Sequence, residues 1–119
     1  AHRACVFPHA GPASYTQVTA GTPPAVATGG DTVQAVEAGF KYFEWIAPTM
    51  TDSGNYYVYP YPKSPSAAAQ GQQTTTYGLK FVAARTASIG GQSQTVGTDA
   101  VAATDLSAEI VRLFALGYA

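Results

Sequence analysis

Residues 40–62, FKYFEWIAPTMTDSGNYYVYPYP, constrain the fold more than any other stretch of the chain. Two aromatic-rich runs, 40–46 and 55–62, flank Pro48, Thr51, Asp52, Ser53 and Gly54. Aromatic and β-branched side chains suit a pleated, half-buried surface, whereas Pro, Asp, Ser and Gly favour turns. The segment therefore reads as a β-hairpin with a longer loop. In the second run Tyr57, Tyr59 and Tyr61 alternate with Tyr56, Val58 and Pro60, which puts the two sets on opposite faces. Pro60 and Pro62 cannot donate to a ladder, so the far end of that strand is expected at an edge or leaving the sheet. The first run leaves two parities open. Either Phe43 and Trp45 face the core with Glu44 outside, or Tyr42 and Ile46 do and Glu44 is buried and needs a partner.

The rest of the chain supplies further strands and one change of period. Residues 4–7 and 14–19 read as short strands joined through Pro8, Gly11 and Pro12, an N-terminal hairpin. A Gly-, Pro- and Thr-rich loop over 21–32 leads to a strand over 32–38, and a small-residue loop covers 64–73. Over 74–84, Tyr77, Leu79, Phe81 and Ala83 fall on one face and Gly78, Lys80, Val82 and Ala84 on the other, so the first set is the expected core face. Residues 85–98, with Gly90 and Gly91, read as loop or ragged strand. From Asp99 the period moves toward 3.6. Val101, Leu106, Ile110, Leu113 and Phe114 make a helical stripe, with Asp105 or Thr98 as N-cap and Gly117 as terminator.

The expected fold class is α+β, a single domain over 1–119. It has an N-terminal β-hairpin, an antiparallel sheet and a C-terminal helix packed on one face. One helix about 10 Å wide covers only two or three strands. The rest of the apolar sheet face is expected to go to a second copy, in an interlocked dimer with a continuous sheet.

Composition points the same way. Of the 119 residues 46% are hydrophobic and only 11% are charged, against about 25% charged in ordinary soluble domains. A surface so poor in charge suits a chain that faces other protein. The net charge of −1 gives no global pull toward nucleic acid, so an RNA role has to rest on a few placed side chains or on many copies together. A single cysteine, Cys5, rules out an intrachain disulfide and is most simply a small apolar filler. No apolar run approaches a membrane span and no charged-then-apolar leader is present. A start at Ala1 fits removal of an initiator Met.

No catalytic pattern emerges. His2 and His9 have no acidic or Cys cluster near them in sequence, and a metal site needs three or four converging ligands. G-x-S-x-G is absent, and Cys5 has no identifiable oxyanion donor. Asp31, Glu37, Glu44, Asp52, Asp99, Asp105 and Glu109 are scattered, several of them where turns or caps want them. Gly29-Gly30 and Gly90-Gly91 lack the Lys and the strand–helix setting of a phosphate cradle. The chain reads as not an enzyme, with no cofactor and no metal.

Three stretches carry a family resemblance: NYYVYPYPK over 55–63, TTTYGLKFVAA over 74–84 and TDLSAEIVRLFALG over 104–117. They resemble the central strand, the following strand and the first C-terminal helix of the coat proteins of single-stranded RNA bacteriophages. The chain departs from familiar members in lacking a second C-terminal helix and in carrying Tyr56 and Val58 where those members carry Lys or Arg. The resemblance implies a capsid subunit that dimerises and assembles into an icosahedral shell around single-stranded genomic RNA, made in the bacterial host cytoplasm and residing in the virion. It further implies an RNA-facing patch of Lys80, Lys41, Tyr56 and Phe43, with Lys63 and Arg85 next in line. The alternative is another assembling phage structural protein, a head-decoration or tail subunit, that binds protein only. A small-ligand module with a tyrosine-lined pocket is the third reading.

Overall fold

The computed structural model describes residues 1–20, 27–64 and 74–119, and it is a β-protein. Sheet I has the order β1–β9–β3, formed by β1 (His2–Ala10), β9 (Ile110–Tyr118) and β3 (Tyr42–Ile46). Sheet II has the order β2–β6–β5–β4, formed by β2 (Asp31–Gln34), β6 (Thr76–Ala83), β5 (Tyr56–Ser64) and β4 (Thr49–Met50). A small ribbon pairs β7 (Ala87–Ile89) with β8 (Gln92–Gln94) around Gly90 and Gly91, both at positive φ. All named pairings are antiparallel.

The expected α+β class is overturned at the C-terminus. Among the described residues no helix reaches seven residues, and residues 110–118 form the central strand of sheet I. The physical reason lies in the run IVRLFALGY. Val111, Leu113, Ala115 and Gly117 are buried while Arg112, Phe114 and Leu116 are exposed, a period of two. The same letters also place apolar side chains at helical spacing, and a short apolar run does not distinguish the two. Pairing decides. β1 lies on one side over the full nine residues, from His2 opposite Tyr118 to Ala10 opposite Ile110, and β3 lies on the other.

The stretch before β9 is turn, not helix. Asp105 does act as a local cap, its Oδ1 accepting from the Ser107 amide at 2.9 Å and the Ser107 hydroxyl at 2.6 Å. The backbone then bonds elsewhere. Leu106 N–H donates to Pro12 O at 2.8 Å, Tyr15 N–H to Thr104 O at 2.9 Å and Ala103 N–H to Tyr15 O at 2.8 Å. Without a C-terminal helix, the interlocked dimer built on it has no basis.

The expected N-terminal hairpin is also overturned. β1 runs straight through Pro8, which an edge strand tolerates because one side of its ladder is free. Residues 14–19 form no strand beyond one bridge from Thr19 to Thr28, and they strap the 99–104 turn instead. The strand expected over 32–38 stops at Gln34 and becomes a 3-10 turn over Ala35–Ala38, closed by Gly39 at φ 75°. Of the loop expected over 21–32, residues 21–26 lie outside the described residues, Thr28 makes the bridge to Thr19 and Asp31 already begins β2; the loop expected over 64–73 lies outside them from residue 65 on.

The aromatic segment turns where expected but pairs differently. β3 joins sheet I and β5 joins sheet II, so 40–62 crosses between the sheets. Pro48, with no N–H to continue a ladder, separates β3 from β4. The tight hairpin is β4–β5, closed where Thr51 N–H donates to Tyr56 O at 3.0 Å and Gly54 adopts φ 76°. β4 pairs only with Tyr57 and Val58, so the Pro60–Pro62 stretch of β5 borders β6 alone, as its prolines require. Neither open parity of 40–46 survives unaltered. A bulge between Phe43 and Trp45 turns both Phe43 and Ile46 inward, each fully buried.

The two sheets share one core. Sheet I contributes Phe7, Phe43, Ile46, Val111, Leu113 and Ala115; sheet II contributes Val33, Tyr56, Val58, Tyr77, Leu79, Phe81 and Ala83. The expected inward set of β6 is fully buried. Phe43 and Tyr77 join the sheets edge to face, with ring centroids 5.5 Å apart.

Candidate functional site

The four residues expected to face RNA do not converge. Phe43 and Tyr56 have no exposed surface, so no base can stack on them in this fold. Burial and the nearby Glu109 charge push the Tyr56 phenol up to about 12. Lys80 lies between the buried Leu79 and Phe81, on the outer face of sheet II and directly opposite Tyr59. Lys41 precedes β3 on sheet I, with its ammonium 5.8 Å from the centre of the Tyr118 ring. The two lysines belong to different sheets. Lys63 donates to the Thr32 hydroxyl at 3.1 Å, and Arg85 Nε donates to Asn55 Oδ1 at 2.7 Å.

Two outer faces remain accessible. On sheet II, Tyr57 and Tyr59 are nearly half exposed, their rings 6.5 Å apart and tilted by 42°. With Pro48, Thr49 and Met50 they line an open groove of about 410 Å³. On sheet I the register lays apolar side chains opposite one another. Val6 faces Phe114, and Ala4 faces Leu116, which faces Trp45 on the other side. Val6 is 61% exposed, Phe114 42% and Leu116 39%. Polar pairs stand at both ends of this patch. His2 Nδ1 meets Glu44 Oε1 at one, and Arg112 meets Asp52 at 3.2 Å at the other. An apolar patch rimmed by polar groups is how a protein-binding surface looks.

Three polar clusters hold the frame beneath these faces. The Tyr15 hydroxyl donates to Asp99 Oδ1 at 2.6 Å and accepts from the Phe81 amide at 3.1 Å. Burial first, then the Asp99 carboxylate, pushes its ionisation far up, so it stays a neutral donor. Buried Glu109 accepts from the Ser53 hydroxyl at 2.5 Å and the Asn55 amide at 3.1 Å, and so fixes the turn between β4 and β5. The third cluster joins His9 to Asp31 at 2.6 Å and to Glu37 at 2.9 Å.

The His9 cluster was not legible in sequence. Its partners lie 22 and 28 positions away, and only the packing of β1 beside β2 and the 3-10 turn brings them in. The carboxylates sit at opposite ring nitrogens, so they do not converge on a common point. Among the described residues no group of three or more His, Cys, Asp and Glu has the arrangement to hold a metal ion. Among the same residues, no helix is long and apolar enough to cross a membrane.

Compared with known proteins, the chain matches no family model, no curated protein and no solved structure.

Proposed function

We propose that this chain is a structural subunit that works by packing against other protein, the reading that a virion or phage-particle component such as a decoration or tail subunit would fulfil. The observation that carries it is the outer face of sheet I, where Val6, Phe114 and Leu116 stand exposed in register between polar rims. With only 11% charged residues in the chain, little else keeps such surfaces apart. Among the described residues no group of three or more His, Cys, Asp and Glu is placed to hold a metal ion that would favour another reading. Light scattering coupled to gel filtration tests it. The native chain is expected to run as an oligomer, and Phe114→Lys to run as a folded monomer. A native chain that stays monomeric at the highest soluble concentration would sink the proposal.

A shell around single-stranded RNA is the second reading. It is favoured by the placement of Lys80 opposite Tyr59 and beside the exposed Tyr57, a cation among accessible rings. The helix that the coat-protein resemblance required is a strand here, so this reading rests on that face alone. Electron micrographs of expressed material, with the absorbance ratio at 260 and 280 nm, separate the two. Closed particles rich in RNA favour the shell, and RNA-free assemblies favour the protein-only subunit.

A further inference from the structure

We propose that His9 is a pH-sensitive staple across the seam between the two sheets, closed when the imidazole carries two protons and weakened when it carries one. β1 is an edge strand of sheet I and β2 an edge strand of sheet II, and no backbone ladder joins them. The His9 ring bridges the gap. Its Nε2 lies 2.6 Å from Asp31 Oδ2 on β2 and its Nδ1 lies 2.9 Å from Glu37 Oε1 on the 3-10 turn. The imidazole is about nine-tenths covered and Asp31 nearly as much.

The chemistry follows from counting protons. An imidazolium donates from both nitrogens and so satisfies both carboxylates. A neutral ring has one N–H, so its other nitrogen turns a lone pair toward a carboxylate oxygen. Glu37 keeps a second donor, the Gln34 amide at 2.7 Å. Asp31 keeps the Thr32 amide at 2.8 Å and the more distant charge of Lys63. From β9 the directly opposite residue is apolar Val111, and farther along β1 Arg3 is turned to the Ala38 and Gly39 carbonyls. No other charge among the described residues contacts the ring. Burial alone would lower the affinity of His9 for its second proton, but the hydrogen bonds and charges of Asp31 and Glu37 outweigh it and raise the value above 6.5. A group raised on folding adds stability that is full below its unfolded value and is lost as pH climbs through its folded value.

Two measurements test the staple. In a His2→Gln chain, which leaves His9 as the sole imidazole, the His9 ring proton followed by NMR is expected to titrate with a midpoint above 6.5. In denaturant unfolding the native midpoint is expected to fall from about pH 6 to about pH 9, and that fall to vanish in His9→Gln while persisting in His2→Gln. A titration midpoint at or below 6.5, or the same pH slope in the native and His9→Gln chains, overturns the proposal. The NMR titration leaves His9 itself unchanged, so it decides the matter even where His9→Gln fails to fold.

Discussion

The hydroxyl of Tyr15 donates to Asp99 at 2.6 Å while accepting from the backbone of Phe81 at 3.1 Å, so one phenol ties the N-terminal strap, the pre-β9 turn and the centre of sheet II. Asp99 also accepts from the Val18 amide at 2.8 Å, closing the knot from the other side. The ring itself is 1% exposed and lies against Phe81, centroids 5.8 Å apart.

Tyr15→Phe keeps the ring packing and removes the bridge. Hydrogen bonds to a charged acceptor contribute about 1.5–3 kcal/mol, and the Phe81 amide is stranded as well. A loss of about 2–3 kcal/mol in denaturant unfolding is expected. A loss no larger than that of an exposed control such as Thr32→Ala would show that the strap does not depend on this phenol.

Tyr56 presents the opposite case. It is fully buried, yet its hydroxyl has no hydrogen-bond partner among the described residues. An unsatisfied buried hydroxyl costs roughly 1–3 kcal/mol. Tyr56→Phe is therefore expected to leave stability unchanged or raise it by about 1 kcal/mol. A clear loss would mean that the hydroxyl has a partner in solution.

The β6 strand tests the sheet alternation. Leu79→Ala and Phe81→Ala each remove a fully buried side chain and should cost roughly 2–5 kcal/mol. Lys80→Ala, between them on the outer face, should cost less than about 0.5 kcal/mol. Equal losses at the three positions would contradict the placement of Lys80.

What could be read from the sequence follows from how local each signal is. The β6 face was legible because Tyr77, Leu79, Phe81 and Ala83 alternate without interruption, and the turn at 51–54 because Asp, Ser and Gly leave few other conformations. The partners of those elements were not legible. β3 and β5 lie on either side of the short β4 and its turn yet belong to different sheets, a choice made by distant pairing with β9 and β6. Neither parity open to 40–46 holds, because a bulge, which has no composition signal here, shifts the phase between Phe43 and Trp45. The C-terminal strand was hidden for a different reason. Leu106, Ile110, Leu113 and Phe114 satisfy a helical stripe, and only the long β1 partner shows that a ladder is available.

Leu113 and Phe114 separate folding from assembly in a single pair of substitutions. On a helix these neighbours would share one apolar stripe, and truncating either would cost core packing. On β9 they point to opposite sides, Leu113 fully buried and Phe114 at 42% exposure opposite Val6. Leu113→Ala is therefore expected to lower stability by about 2–5 kcal/mol. Phe114→Ala should leave monomer stability within about 1 kcal/mol and instead weaken self-association, measured by sedimentation across a concentration series. Comparable destabilisation from both, with association unchanged, would remove the outer face of sheet I as the contact surface. Full retention of association in Phe114→Ala, with Leu113→Ala destabilised as expected, would leave the strand in place and move the contact to the Tyr57–Tyr59 face of sheet II.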